Sequence, residues 1–239
     1  MIAFHSGDME RYRQFCVGRS RGLGILAADV PSHSYPSASA LGRHLPDHRL
    51  QVFWLAGKLP GKAIENPRQV SAYHYPRVHG PVSPSFSRAL VAPDDTVLIS
   101  GTASIVGHIS QHHDDPMEQL EETVRNLTAL TSHVSRTRDA SKDLLKIYVR
   151  DPTLAPNIAG RLGQLYPNGE FLFVELPPGE THLVYVRSTM AHARITAVDT
   201  TGQPAAAGMR VRSSSGPRGG RVRTSHRDRA PVPPPRCRG

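Results

Sequence analysis

The chain has 239 residues, 29 Lys and Arg against 20 Asp and Glu, and a formal net charge of +9. That length allows one large or two small domains with a real core, and 38% hydrophobic with 21% charged residues is a globular composition. Two cysteines, Cys16 and Cys237, exclude a disulfide framework. No apolar run approaches the ~20 residues that span a bilayer, and the first residues lack a basic-then-apolar leader. The expectation is a cytoplasmic protein with no membrane partner.

In chain order, residues 10–27 read as a helix and the Pro/Ser/His-rich stretch to about residue 45 as loop. Segment 1–45 is therefore taken as a partial N-terminal piece, 46–203 as the main domain and 204–239 as a tail. Gly18-Arg-Ser-Arg-Gly-Leu-Gly24 follows no strand and lacks dinucleotide-binding spacing. Strands are expected at 50–56, 71–75, 88–91 and 96–100, each short and rich in β-branched or aromatic residues.

Ser100-Gly-Thr-Ala-Ser-Ile-Val-Gly-His108 is small and hydroxyl-rich. It fits either close backbone approach to a ligand, with Thr102 and Ser104 as donors, or a bulged strand end. His108, His112, His113, Asp114 and Asp115 are dense in ligand-type side chains. Asp115 is however accounted for as a helix cap, and neighbouring His112 and His113 point apart, so a structural loop without metal is expected.

After it comes the clearest helix: Asp115 caps, Pro116 suits the first turn, and Glu118 completes a capping box. Met117, Leu120, Val124, Leu127, Leu130 and Val134 form one apolar stripe. Asn126-Leu-Thr128 is a glycosylation sequon lying inside that helix. A strand at 144–149, a helix between 151 and 166 around Ile158, Leu162 and Leu165, and strands at 170–175 and 182–186 follow. This order implies an α/β domain, a mixed sheet with helices packed on one face.

Nine arginines and one acid place eight of the nine net positive charges in residues 204–239, which also hold six Pro, five Gly and no aromatic. Such a segment is expected to be disordered. It is the composition a GC-rich gene yields in an unselected frame, and it has no rings on which bases could stack. The body is nearly neutral, so no nucleic-acid partner is expected.

Arg77, Arg88 and Arg150 each stand at or beside a strand end, and Tyr75 and Tyr148 precede Arg77 and Arg150 by two residues. On a strand, i and i+2 share a face. A Tyr/Arg pair there fits a carboxylate, with a bidentate guanidinium and a phenolic donor; a surface Arg flanking a core Tyr fits equally well.

These segments resemble the chorismatase family. The resemblance rests on Glu10-Arg-Tyr-Arg-Gln-Phe-Cys-Val-Gly-Arg19, Glu65-Asn-Pro-Arg-Gln-Val-Ser-Ala-Tyr-His-Tyr-Pro-Arg77, Gly80-Pro-Val-Ser-Pro-Ser-Phe-Ser-Arg-Ala89, residues 100–108 and 119–127, and Lys146-Ile-Tyr-Val-Arg-Asp-Pro152. It runs from about residue 10 to residue 176. It implies a Rid (YjgF-like) fold and, as small-molecule partner, chorismate, cleaved to pyruvate and either a dihydroxycyclohexadiene carboxylate or a hydroxybenzoate. No cofactor and no metal are implied, and the homotrimer common among Rid-fold proteins is the assembly it suggests. Tyr148, Arg150 and Arg88 become carboxylate ligands, Thr102 and Ala103 pocket residues, and Tyr75 and Arg77 further substrate-binding candidates.

The chain departs from the family pattern in three ways. Family members carry more sequence before the 10–19 motif. The family's acid is a Glu in a Val-Glu-Ile-Glu-like last strand, whereas this chain reads His182-Leu-Val-Tyr-Val-Arg187, with Tyr185 and Arg187 where carboxylates are expected. The arginine-rich tail has no family counterpart, and a frame change near Glu175 accounts for both C-terminal differences. Glu175 and Glu180 are the remaining candidate acids. Two other readings stay open: a Rid-fold carboxylate-binding protein without turnover, and a Rid-like imine deaminase. Against the latter, Asn168-Gly-Glu170 stands where that subfamily places an arginine.

Overall fold

The computed structural model describes residues 2–6, 9–24, 35–43, 50–53, 55–134, 143–176, 184–190 and 209–212. Three short strands form a sheet near the N-terminus: β1 (Ile2–Ser6), β2 (Ser39–Arg43) and β3 (Gln51–Phe53). The central β1 runs parallel to β2 and antiparallel to β3. Helix α1 (Met9–Gly22) follows β1. Two expectations change here. Residues 39–43, expected as loop, are a strand, and the strand expected at 50–56 pairs into this sheet, which therefore extends past residue 45. Helix α1 stops at Gly22; residues 25–27 of the expected helix lie outside the described residues.

The main sheet has seven strands: β4 (Lys62–Ile64), β5 (Ala89–Val91), β6 (Val97–Ile99), β9 (Asp143–Val149), β10 (Glu170–Glu175), β11 (Val184–Met190) and β12 (Met209–Arg212). Their order is β12-β10-β9-β11-β6-β5-β4. Only β9 and β10 are parallel, joined by α3 (Ala155–Leu165), as a parallel pair requires. A small hairpin, β7 (Ile105–Val106) and β8 (Ile109–Ser110), precedes α2 (Pro116–Thr131). Its turn uses Gly107 at φ 61, left-handed backbone that favours glycine.

Helices α2 and α3 pack on one face of this sheet, giving a mixed α/β arrangement. The core interleaves Leu120, Val124, Leu127 and Leu130 of α2 and Ile158 and Leu162 of α3 with Ile99, Leu145, Ile147, Val149, Phe171 and Phe173 of the strands. Burial of each such side chain contributes roughly 1.5–3 kcal/mol. Asp115 caps α2 by accepting from the Met117 and Glu118 backbone N–H groups, both at 3.0 Å. The reciprocal half of the expected capping box is replaced: the Asp115 N–H donates to the His112 carbonyl at 3.2 Å. Leu165, counted with the buried face of α3, is 39% exposed.

Residues 71–75, expected as a strand, form a 3₁₀ turn at Ala72–His74. Their aromatic residues belong to a turn whose backbone bonds close locally, His74 N–H to Ser71 and Tyr75 N–H to Ala72. In the expected disordered tail, Met209–Arg212 forms β12, antiparallel to β10. Its apolar–charged alternation suits a strand on a sheet edge; the rest of 204–239 lies outside the described residues. No helix among the described residues is long and apolar enough to cross a membrane.

Candidate functional site

The main sheet's second face is covered by the N-terminal segment. Alternation sends Leu145, Ile147 and Val149 of β9 toward the helices and Lys146 and Tyr148 to the other side. There Tyr148 is fully buried with Leu41 of β2, Leu176 and Val174. Serine hydroxyls fasten the cover. The Ser100 hydroxyl accepts from the Ala38 N–H at 2.9 Å, the Ser39 hydroxyl from the Gly101 N–H at 2.9 Å, and the Ser87 hydroxyl donates to the Tyr35 carbonyl at 3.0 Å.

Beneath this cover sits Arg88, one residue before β5 and 5% exposed. Its Nη2 donates to the Val70 carbonyl at 2.8 Å and to the Tyr75 phenol oxygen at 2.9 Å. Its guanidinium carbon lies 5.5 Å from the Tyr75 ring centre and 5.4 Å from that of Phe86. Nε is buried with no hydrogen-bond partner. A guanidinium so fixed, with a donor unused, is prepared for an anion.

Glu65 follows β4 and lies beside Arg88, with Oε1 3.4 Å from the Arg88 backbone nitrogen. Its Oε2 is buried without a partner. Burial pushes this carboxyl above its ordinary value, against a hydrogen bond from Ser71 and the charge of Arg88. From the other side comes α1, where Cys16, Arg19 and Ser20 are buried. The Ser20 and Ser85 hydroxyls are 2.9 Å apart, and the Arg19 guanidinium lies 5.2 Å from the Phe15 ring centre and 5.9 Å from that of Phe86. Next to Tyr75, His79 Nε2 and His108 Nδ1 are 3.0 Å apart. Burial, with the charges of His108 and Arg13, holds His79 below the ordinary histidine value.

The site's loops are tied to α2 through Asn126. Its amide nitrogen donates to the carbonyls of Ala103 at 3.1 Å and Ile105 at 2.8 Å, and its amide oxygen accepts from Arg68 Nε at 3.0 Å. Asn66 Nδ2 donates to the Asn126 carbonyl at 2.9 Å, and Arg68 also pairs with Glu122. Asn126, read from its sequon, is thus a buried clamp.

Of the sequence candidates, Tyr75 and Arg88 are in direct contact. Tyr148 belongs to β9, which β11 and β6 separate from β5. Arg150 is half-buried just past the strand end, and Arg77 is exposed in a second 3₁₀ turn. Thr102 and Ala103 are buried; the Thr102 hydroxyl donates to the Ser100 carbonyl at 3.1 Å, and the Ser104 hydroxyl to the Gln111 carbonyl at 3.0 Å. Glu175 is exposed at the end of β10, while Glu180 lies outside the described residues. Tyr185 and Arg187 occupy register positions opposite Tyr148 and Lys146. Among the described residues, no group of three or more His, Cys, Asp or Glu is arranged to hold a metal. Arg19 and Glu65 lie within the family-like segments 10–19 and 65–77, and nothing in their spacing signals that Arg19 is buried or that Glu65 adjoins Arg88.

Residues 2–56 match the family model described as chorismatase FkbO/Hyg5-like, N-terminal. A chorismatase of Streptomyces rapamycinicus is 33% identical over 160 residues, 61% of this chain and 47% of that protein. A 3-hydroxybenzoate synthase of Streptomyces hygroscopicus is 35% identical over 132 residues, 52% of this chain and 38% of that protein. The chain thus spans about half or less of the length of these relatives. A crystal structure of a chorismatase superposes with a TM-score of 0.64 at 25% identity, covering 80% of this chain and 62% of that one. In sequence and in fold, this chain is similar to the chorismatases.

Proposed function

We propose that the chain binds chorismate between the N-terminal segment and the face of the main sheet opposite the helices, and cleaves it as a chorismatase. The observation that carries this is Arg88: a buried guanidinium, held by Tyr75 and Val70, whose Nε has no partner. Chorismate is a dianion, and a fixed buried cation offers one of its carboxylates charge-assisted hydrogen bonds in a site that excludes water. Tyr75 accepts from Arg88, which leaves its own phenolic proton free to be donated. Tyr148 on β9, Arg150 just past its end, and Thr102 and Ala103 after β6 are further candidates by the family resemblance.

Cleavage requires a proton on the methylene carbon of the enolpyruvyl group. The resulting oxocarbenium carbon adds water, and the hemiketal collapses to pyruvate and a dihydroxycyclohexadiene carboxylate. The hydroxybenzoate outcome releases the same pyruvate with no net consumption of water. Where the family pattern expects an acid, this chain has Tyr185 and Arg187. Glu65 is the proton source in this reading: it adjoins Arg88, and burial favours its protonated form. Tyr185 and Arg187 in the acid positions favour a second reading, a carboxylate-binding protein without turnover.

The experiment is pyruvate release from chorismate, coupled to a dehydrogenase. Turnover lost in Glu65→Gln with chorismate binding retained supports the enzyme. Saturable binding without turnover in the wild type selects the binding protein. Turnover unchanged in Arg88→Gln overturns the site.

A further inference from the structure

Arg19 of α1 is 8% exposed, and its Nε and Nη2 are buried with no hydrogen-bond partner. Burying a guanidinium is costly unless its charge and its N–H groups are matched. The faces of Phe15 and Phe86 compensate part of the charge but satisfy neither nitrogen. No carboxylate among the described residues is in ion-pair range of Arg19. Nor does docking of α1 depend on it, because the neighbouring Ser20 makes the polar contact with Ser85 and Cys16 packs on the same side.

Phe86 relates this arginine to the other buried one. The two guanidinium carbons lie 5.9 Å and 5.4 Å from the same ring centre, Arg19 from the helix and Arg88 from the sheet. Each carries a buried Nε without a partner. Two buried cations about one aromatic ring, neither in an ion pair among the described residues, match a ligand with two carboxylates and an apolar body between them.

We infer that Arg19 is the second carboxylate anchor of this site, holding the acid group of a cyclic dicarboxylate that Arg88 does not hold, with Phe86 against the ligand's ring. The inference rests on the chorismate reading but extends it. It makes the N-terminal helix part of the binding site, and it makes Arg19 the residue that selects dianions over monoanions.

The test is calorimetric titration of the full chain with chorismate, benzene-1,3-dicarboxylate and 3-hydroxybenzoate, using wild type, Arg19→Gln and Arg19→Lys, with folding checked by circular dichroism. Loss of Arg19 is expected to weaken chorismate roughly tenfold or more, the scale of one charge-assisted contact, while 3-hydroxybenzoate changes less than about threefold. Arg19→Lys keeps the charge without the fork and is expected to fall between; it also carries the test if the Gln variant does not fold. Chorismate binding unchanged in both variants overturns the inference and leaves the chorismate reading standing. Benzene-1,3-dicarboxylate binding that depends on Arg19, with no chorismate binding, keeps the anchor and removes chorismate. Failure of both dianions to bind wild type removes both.

Discussion

Arg88 and Tyr75, thirteen residues apart, are joined by a 2.9 Å hydrogen bond in which the guanidinium donates to the phenol oxygen. One turn and one strand start thereby become a single polar unit beneath the N-terminal cover. Tyr75→Phe keeps the ring against Arg88 and removes only the acceptor. Chorismate affinity is expected to fall by a factor of about 2 to 10, the net worth of one hydrogen bond. Calorimetry of the variant against wild type measures it.

Arg88→Gln separates stability from function. The wild-type side chain is a buried cation with an unmet donor, so its removal in the ligand-free protein relieves a cost as well as deleting two hydrogen bonds. The melting temperature is expected to stay within a few degrees of wild type, while chorismate no longer protects against thermal unfolding. Thermal melts with and without ligand read both quantities.

Glu65 sets a pH dependence of known sign. Its folded-state pKa lies above the ordinary 4.5, with burial as the largest cause. Between that ordinary value and the raised one the folded state holds the extra proton, so stability falls as pH rises through this window. The penalty is fully present above the raised value and absent below 4.5. Glu65→Gln should therefore stabilise the protein near neutrality and flatten the profile. Urea midpoints at pH 5 and pH 8 test it.

Glu122 should behave in the opposite way. Burial pushes its carboxyl up, but hydrogen bonds from Arg68 and Arg125 outweigh burial and hold it below 4.5. Its contribution is complete above 4.5 and disappears as pH falls through the lowered value. Glu122→Gln is expected to cost about 1–3 kcal/mol at pH 7 and progressively less as pH falls below 4.5, measured by urea unfolding.

Asn126→Ala should cost about 1–3 kcal/mol, because the carbonyls of Ala103 and Ile105 each lose one of two donors, the Ile105 N–H and Gln69 Nε2 remaining, and Arg68 loses an acceptor. It is also expected to weaken chorismate binding without touching the ligand. Asn126→Asp, which keeps the acceptor and removes the two donated bonds, separates the two halves of this clamp in the same melts.

The parts of the fold that were legible in the sequence are those governed by local patterns. Helix α2 carries its cap, its first-turn proline and its stripe within one segment, and β9 and β10 are short segments rich in Leu, Ile, Val and Phe. Strand β1 is five residues long and pairs with Ser39–Arg43, whose small residues read as loop; only partners distant in sequence make either one a strand. Residues 71–75 share the aromatic content of a strand, yet close into a turn. Arg88 was legible as strand-end chemistry, while Tyr75, expected at a strand end, stands at the end of a 3₁₀ turn. Arg19 was not: among Arg11, Arg13, Arg19 and Arg21 of α1 nothing in the spacing distinguishes it, and its burial depends on Phe86 from the far side of the site.

The measurement closest to the central claim is a calorimetric titration of chorismate into wild-type protein and into Arg88→Gln. The expected result is saturable one-site binding to wild type that the substitution abolishes while the fold is kept. Absence of binding to folded wild type, or equal binding to both proteins, would contradict the account.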